Sequence, residues 1–327
     1  MSNTAGSAAR LGPRKIDPRQ RAVGFGSGDF IVIYDLNAQT SLHGFKVSFE
    51  YEYVAVSHDY EWTVVTGDNP TRMYKVGETS WVAQYAAGAT NACGWTMEDE
   101  YLFFLRQDGD IGYYERPSSG DWEDIPTEQT LSVANELQDY AFTPDGSELI
   151  VCDNTSGDGD VHIIDPQSWS VTRTINVSGQ SYSVDMTLDG ETLAVGDHNG
   201  NIRIINYDTG NVTQTIDTGT SQEIDQISIH PNGDDVGALI YEDGIYFYDT
   251  DTGNEIDSYT PTTQDAGYVE AFVYDKTGYW VIVGRGSYEI EDVGTIGFSP
   301  RIHKRRNFSN FDVAGLVSNN YRRGRVV

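Results

Sequence analysis

Residues 181–216 read SYSVDMTLDG ETLAVGDHNG NIRIINYDTG NVTQTI, and the turns within this stretch decide the fold. Ser181–Thr187 reads as a strand that runs into Leu188-Asp189-Gly190, a tight turn whose glycine tolerates positive φ. Thr192–Gly196 is a second strand, broken by Asp197-His198-Asn199-Gly200-Asn201. Ile202–Asn206 is the third, and Tyr207-Asp208-Thr209-Gly210 leads into a fourth, Val212–Ile216. Apolar runs bounded by such turn residues predict a four-stranded antiparallel meander.

The same punctuation recurs along the chain. The first turn returns as Thr143-Pro144-Asp145-Gly146, His230-Pro231-Asn232-Gly233 and Asp275-Lys276-Thr277-Gly278, with glycines 44, 43 and 45 residues apart. The third turn returns as Asp251-Thr252-Gly253-Asn254. Third strands end at Asp35, Asp165, Asn206 and Asp249, with weaker copies near Lys75, Glu115 and Ser299. The seven positions are separated by 40, 40, 50, 41, 43 and 50 residues. A period of roughly 40–50 residues with several strands per period predicts an all-β, seven-bladed β-propeller of four-stranded antiparallel blades. Repeats override the two domains that length alone suggests, so residues 17–317 are expected to form one domain. A basic arm, 1–16, precedes it and a basic tail, 318–327, follows it. Residues 17–35 read as strands two and three of a blade with no first strand. Phe311–Val317 is the expected replacement, closing the ring and removing edges that an open sheet exposes.

On the Pro/Leu-Asp-Gly and Asp-Thr-Gly-Asn turns, the pattern resembles the WD-repeat and YVTN-type seven-bladed propellers across almost the entire chain. The Trp-Asp dipeptide and Gly-His start of true WD repeats are absent. The resemblance implies architecture, and propellers host enzymes, receptors and inert scaffolds alike.

Charge divides the chain sharply. The formal net charge is −29, yet residues 1–21 carry five basic side chains against Asp17 alone. Residues 301–327 carry seven against Asp312 alone, leaving 9 basic and 48 acidic side chains on the 279 residues between. Such a body repels itself at ordinary ionic strength. At about 1 M salt the Debye length falls to roughly 3 Å and the repulsion is largely screened. Only 5 of 21 basic residues are lysine, and this composition resembles proteins of salt-in halophilic archaea and their viruses.

Cys93 and Cys152 are the only cysteines and read as buried free thiols, too few for an oxidised framework. The start of the chain has no apolar signal region and no stretch approaches 18 apolar residues. The expected location is therefore cytoplasmic or within a virion.

Candidate chemistry is sparse. His43, His58, His162, His198, His230 and His303 show no zinc-ligand spacing, and no Gly-x-Ser-x-Gly or P-loop occurs. Residues 153–160, Asp-Asn-Thr-Ser-Gly-Asp-Gly-Asp, alternate Asp with Gly. Asp158 and Asp160 there are candidate calcium ligands, although a solvated acidic hairpin fits equally well. Asp139, Asp185, Asp225 and Glu270 fall on first strands, which line the shaft of a propeller, and are candidate channel residues. No other cofactor is expected.

The basic ends carry the strongest signal. Arg10, Arg14, Lys15, Arg301, Lys304, Arg305, Arg306, Arg322, Arg323 and Arg325 are candidate partner-binding residues. An acidic body repels phosphate, so acidic protein surfaces suit these ends better than nucleic acid. The sequence thus predicts a non-enzymatic structural or interaction propeller in a multi-subunit assembly, for instance a virion tail, baseplate or capsid vertex. The competing expectation is a ligand-binding or enzymatic propeller with its site in the central funnel.

Overall fold

Antiparallel meanders follow one another along the chain, as the turn register predicts. The computed structural model describes residues 22–27, 30–35, 40–47, 53–66, 71–85, 88–157, 159–240, 243–260, 269–274, 280–285 and 301–304, and every regular element among them is a β-strand. Sheet 1 contains β1 (Ala22–Ser27), β2 (Phe30–Asp35) and β3 (Thr40–Lys46). Sheet 2 contains β4 (Tyr53–Val56), β5 (Trp62–Thr66), β6 (Thr71–Lys75) and β7 (Trp81–Tyr85). Sheet 3 contains β8 (Thr90–Trp95), β9 (Tyr101–Arg106), β10 (Asp110–Glu115) and β11 (Gln129–Ser132). Sheet 4 contains β12 (Leu137–Phe142), β13 (Leu149–Asp153), β14 (Asp160–Asp165) and β15 (Ser170–Asn176). Sheet 5 contains β16 (Ser181–Met186), β17 (Thr192–Asp197), β18 (Asn201–Asn206) and β19 (Val212–Asp217). Sheet 6 contains β20 (Ile224–Ile229), β21 (Asp235–Ile240), β22 (Gly244–Asp249) and β23 (Glu255–Tyr259). Sheet 7 contains β24 (Val269–Tyr274), β25 (Trp280–Arg285) and β26 (Arg301–Lys304). Five sheets are thus four-stranded, an all-β, propeller-like architecture.

Burial falls from the first strand of a sheet to the last. Every residue of β8, β12 and β16 is buried, whereas β15 and β19 are largely exposed and β23 is half-buried to exposed. First strands lie side by side, β4 against β8, β8 against β12, β12 against β16, β16 against β20 and β20 against β24. The core fills the spaces between successive sheets: Ile202, Ile216 and Ala194 of sheet 5 pack with Ile227, Ile229 and Val236 of sheet 6. Each such isoleucine or valine side chain contributes about 1.5–3 kcal/mol by leaving water.

Bulges recur at matching steps. The last two strands slip register after Ile33, Met73, Ile163, Ile204 and Phe247, in five sheets. A bulge twists an outer strand away from further pairing, which protects an exposed edge. First and second strands slip between Thr90 and Ala92, Leu137 and Tyr140, Ser181 and Ser183, Ile224 and Gln226, and Val269 and Ala271.

Two features depart from the sequence expectation. The third strand of sheet 7 is Arg301–Lys304 and not a segment ending near Ser299. Sheet 3 joins its third and fourth strands through residues 116–128, not a tight turn, which accounts for the 50-residue interval from Glu115 to Asp165. This connection is anchored by Trp122, fully buried with its ring 4.9 Å from Trp95, and by the Tyr85 hydroxyl, which donates to the Trp122 carbonyl at 2.7 Å.

Candidate interaction surface

The turns between first and second strands and between third and fourth strands emerge at the same end of every meander. In sheets 2, 4 and 5 the first of these turns has one local cause. A hydroxyl ending the first strand, on Ser57, Thr143 or Thr187, donates to an aspartate two residues later, at 2.6, 2.7 and 2.6 Å. The same hydroxyl accepts the amide that opens the second strand, from Trp62, Glu148 or Thr192, at 3.0, 3.0 and 3.1 Å. Gly146, Gly190 and Gly233 hold φ of 75°, 76° and 80° at the left-handed position, where Tyr60 and Asp99 stand in sheets 2 and 3.

Asp99 uses its unusual backbone to reach across. Its carboxylate accepts the His58 amide at 2.9 Å, the Asp59 amide at 2.9 Å and lies 2.8 Å from His58 Nδ1. Asp59 in turn meets Arg116 at 2.8 Å. Further bonds join sheets at this face: Gln167 donates to Glu100 at 2.9 Å, the Tyr207 hydroxyl to Glu148 at 2.6 Å, and the Leu188 amide to the Pro231 carbonyl at 3.2 Å.

This face is strongly acidic, and the few cations nearby are already engaged. Lys75 pairs with Glu123 at 2.6 Å and Asp121 at 3.6 Å and lies 5.0 Å from the Trp62 ring. The Glu123 bond holds the Lys75 ammonium above the usual lysine range. Arg173 lies 4.4 Å over the Tyr207 ring and donates to the Asp208 carbonyl at 3.1 Å. Elsewhere Arg106 pairs with Glu128, Arg203 with Asp197 at 2.7 Å, and Arg72 stacks 5.3 Å from Trp81. Turn bonds hold several carboxylates ionised. Asp145 is kept below the usual range by the Ser147 amide and by the Thr143 and Ser147 hydroxyls, and Asp165 by the Ser168 hydroxyl and Gln167 amide.

The candidate channel residues divide by position. Asp139 and Asp185 are buried at 0% and 3% exposure, with carboxylates committed to the next sheet. Asp139 Oδ2 accepts the Val184 amide at 3.0 Å; Asp185 Oδ2 accepts the Ile229 amide at 2.9 Å and its Oδ1 the Met186 amide at 2.8 Å. Neighbouring residues act alike. Gln226 exchanges two bonds with the Phe272 backbone at 2.6 and 3.2 Å, Ser183 donates to the Ile224 carbonyl at 3.0 Å, and Asn91 to the Leu137 carbonyl at 2.8 Å. These side chains satisfy backbone groups on the free side of each first strand, groups that would otherwise be unpaired. Asp225 and Glu270 lie within register slips, as Asp139 does, and Asp225 is half-buried.

The proposed calcium loop is partly occupied with its own bonds. Asp153 accepts the Thr155 amide at 2.7 Å and the Thr155 hydroxyl, and lies 3.4 Å from His162 Nε2. Burial pushes its carboxyl up, but the His162 and Thr155 bonds outweigh this and hold it below the usual range. Asp160 begins β14 and is half-buried, while Asp158 lies outside the described residues. Among the described residues no three His, Cys, Asp or Glu side chains group as metal ligands.

Of the candidate docking residues, Arg301 and Lys304 begin and end β26, opposite Val283 and Trp280. Both therefore belong to a sheet. Arg10, Arg14, Lys15, Arg305, Arg306, Arg322, Arg323 and Arg325 lie outside the described residues, as does Phe311–Val317. Cys93 and Cys152 are buried free thiols as expected, and burial raises the Cys93 thiol. Sequence reasoning missed the His58–Asp99 clasp, whose partners stand 41 residues apart with no motif linking them.

No helix among the described residues is long and apolar enough to cross a membrane. No family model matches the chain, and no curated protein matches it.

Proposed function

We propose that this chain is a non-enzymatic, seven-bladed scaffold that docks within a larger assembly through its basic ends. The observation carrying this reading is the opposition of charges within one chain. Arg72, Arg106, Arg116, Arg173, Arg203 and Lys75 each already have an intramolecular partner, so the large carboxylate excess of the body stays uncompensated, while twelve basic residues collect in 1–21 and 301–327. Guanidinium groups clustered in segments whose sequence holds one carboxylate each suit bidentate recognition of acidic protein surfaces.

Ring closure belongs to the same reading. Among the described residues sheet 1 has no strand inside β1, and β1 comes near β25 of sheet 7. Phe311–Val317 is the segment we assign to that place, pairing as the first strand of sheet 1. A rigid disc would then present two faces of tight turns, and a position in a virion or a cytoplasmic complex of a high-salt organism accounts for acidity and basic ends together. A second reading places a ligand site at the central funnel, favoured by first-strand bulges at Asp225 and Glu270, since bulges re-aim side chains.

The test is the native mass of the species recovered from its source in molar salt. A stoichiometric complex with other subunits supports the scaffold, whereas a lone monomer of 36.3 kDa counts against it.

A further inference from the structure

We propose that Asn199 is a site of spontaneous deamidation, selected by the fold over the other Asn-Gly pair of the chain. Asn-Gly is the dipeptide most open to this chemistry, because glycine has no Cβ to obstruct attack by its own amide nitrogen. The chain contains two, Asn199-Gly200 and Asn232-Gly233, in turns at opposite ends of sheets 5 and 6. Both asparagines are exposed.

The attacking group is the deprotonated amide nitrogen of the following glycine, so a hydrogen bond that holds its proton slows the step. Gly233 donates that proton to the His230 carbonyl at 2.8 Å. Pro231 stiffens the same turn and the Asn232 amide points to His230 Nδ1 at 3.2 Å. The Asn199 turn is built differently. Asp197 Oδ1 gathers the amides of Asn199 at 2.9 Å and Asn201 at 2.8 Å, the residues on either side of Gly200. The Gly200 carbonyl accepts from the Thr218 amide at 3.1 Å and the Thr218 hydroxyl at 2.7 Å. The Gly200 amide makes no bond of comparable geometry among the described residues.

In the reaction the Gly200 nitrogen forms a bond to Asn199 Cγ and the side-chain amide leaves as ammonia, giving a five-membered succinimide. Water then adds to either ring carbonyl and opens it, to aspartate or to isoaspartate with the backbone rerouted through the side chain. Nothing is oxidised or reduced, and solvent water is the only co-reactant. Each product adds a negative charge next in sequence to His198, which lies 3.1 Å from the Glu223 carboxylate. Isoaspartate also lengthens the chain within the loop that Asp197 closes, so the Asn199 and Asn201 bonds cannot both survive. Arg203, held by Asp197 at 2.7 Å, then loses a fixed partner.

The experiment incubates the folded protein in molar sodium chloride at mildly alkaline pH, with a parallel sample unfolded in guanidinium chloride. Peptide mapping by mass spectrometry follows both asparagines with time. In the unfolded chain both convert at similar rates. In the folded protein Asn199 converts to aspartate and isoaspartate, while Asn232 is slower by about tenfold, the size expected for one well-made hydrogen bond. Equal rates at the two sites in the folded protein, or conversion of Asn232 with Asn199 intact, overturns the assignment.

Discussion

The Asp185 carboxylate accepts the Ile229 amide at 2.9 Å across the boundary between sheets 5 and 6, while its other oxygen takes the Met186 amide at 2.8 Å. One buried side chain thus satisfies backbone groups of two sheets. Replacing Asp185 with Ala leaves two buried amides without their acceptor, at about 1–3 kcal/mol each. Asp185→Ala is therefore expected to lose about 3 kcal/mol in equilibrium denaturation. Asp185→Asn, which keeps one acceptor oxygen, should lose less, and exposed Asp108→Ala should stay within about 0.5 kcal/mol.

Stability should hold across neutral pH and fail at both extremes when measured in molar salt. Asp145, Asp153 and Asp165 are held below the usual carboxylate range in the fold. Their contribution is present above the unfolded value of about 4 and is lost as pH falls through the lowered values. Asp257, pushed up by burial, works in the opposite direction. Tyr140 and Tyr274 are raised by burial, so their contribution is present below about pH 10 and is lost as pH rises beyond it. Circular dichroism against pH, with phenolate absorbance on the alkaline side, checks both limbs.

Salt should stabilise the fold. The carboxylates of the body outnumber its cations, so screening removes more repulsion than attraction. Thermal melting should shift strongly downward from molar salt to about 0.1 M, where the Debye length is about 10 Å. A protein held by surface ion pairs shows the opposite sign. A flat melting temperature across this range would make the acidity incidental.

The two proposed duties of the C-terminus can be separated by truncation. Ending the chain after Val317 should leave melting in molar salt unchanged. Ending it after Asn307 removes the assigned closing strand and should lower melting sharply. Equal melting of the two truncated chains would remove Phe311–Val317 from the ring.

Sheets 4, 5 and 6 were legible because their turns are written in residues with fixed conformational meaning. Gly146, Gly190 and Gly233 mark left-handed positions, and Asp-Thr-Gly-Asn marks a third turn. Sheet 3 was harder, since residues 116–128 replace that turn with a segment pinned by Trp122, whose burial depends on Trp95 and Tyr85 from elsewhere. Register slips leave no sequence signal, yet Asp139, Asp225 and Glu270 all fall within them, and Asp139, like Asp185 outside them, bonds to the next sheet. The boundary of β26 was misplaced because that strand mixes Arg301, His303 and Lys304 with one apolar residue, Ile302.

The most direct test of the docking account changes Arg322, Arg323 and Arg325 together to Ser and measures incorporation into the assembly beside melting of the isolated chain. The account predicts unchanged circular dichroism and melting temperature, with incorporation reduced. Normal incorporation of the triple variant would contradict it, because the terminal arginines would then have no part in holding the scaffold in place.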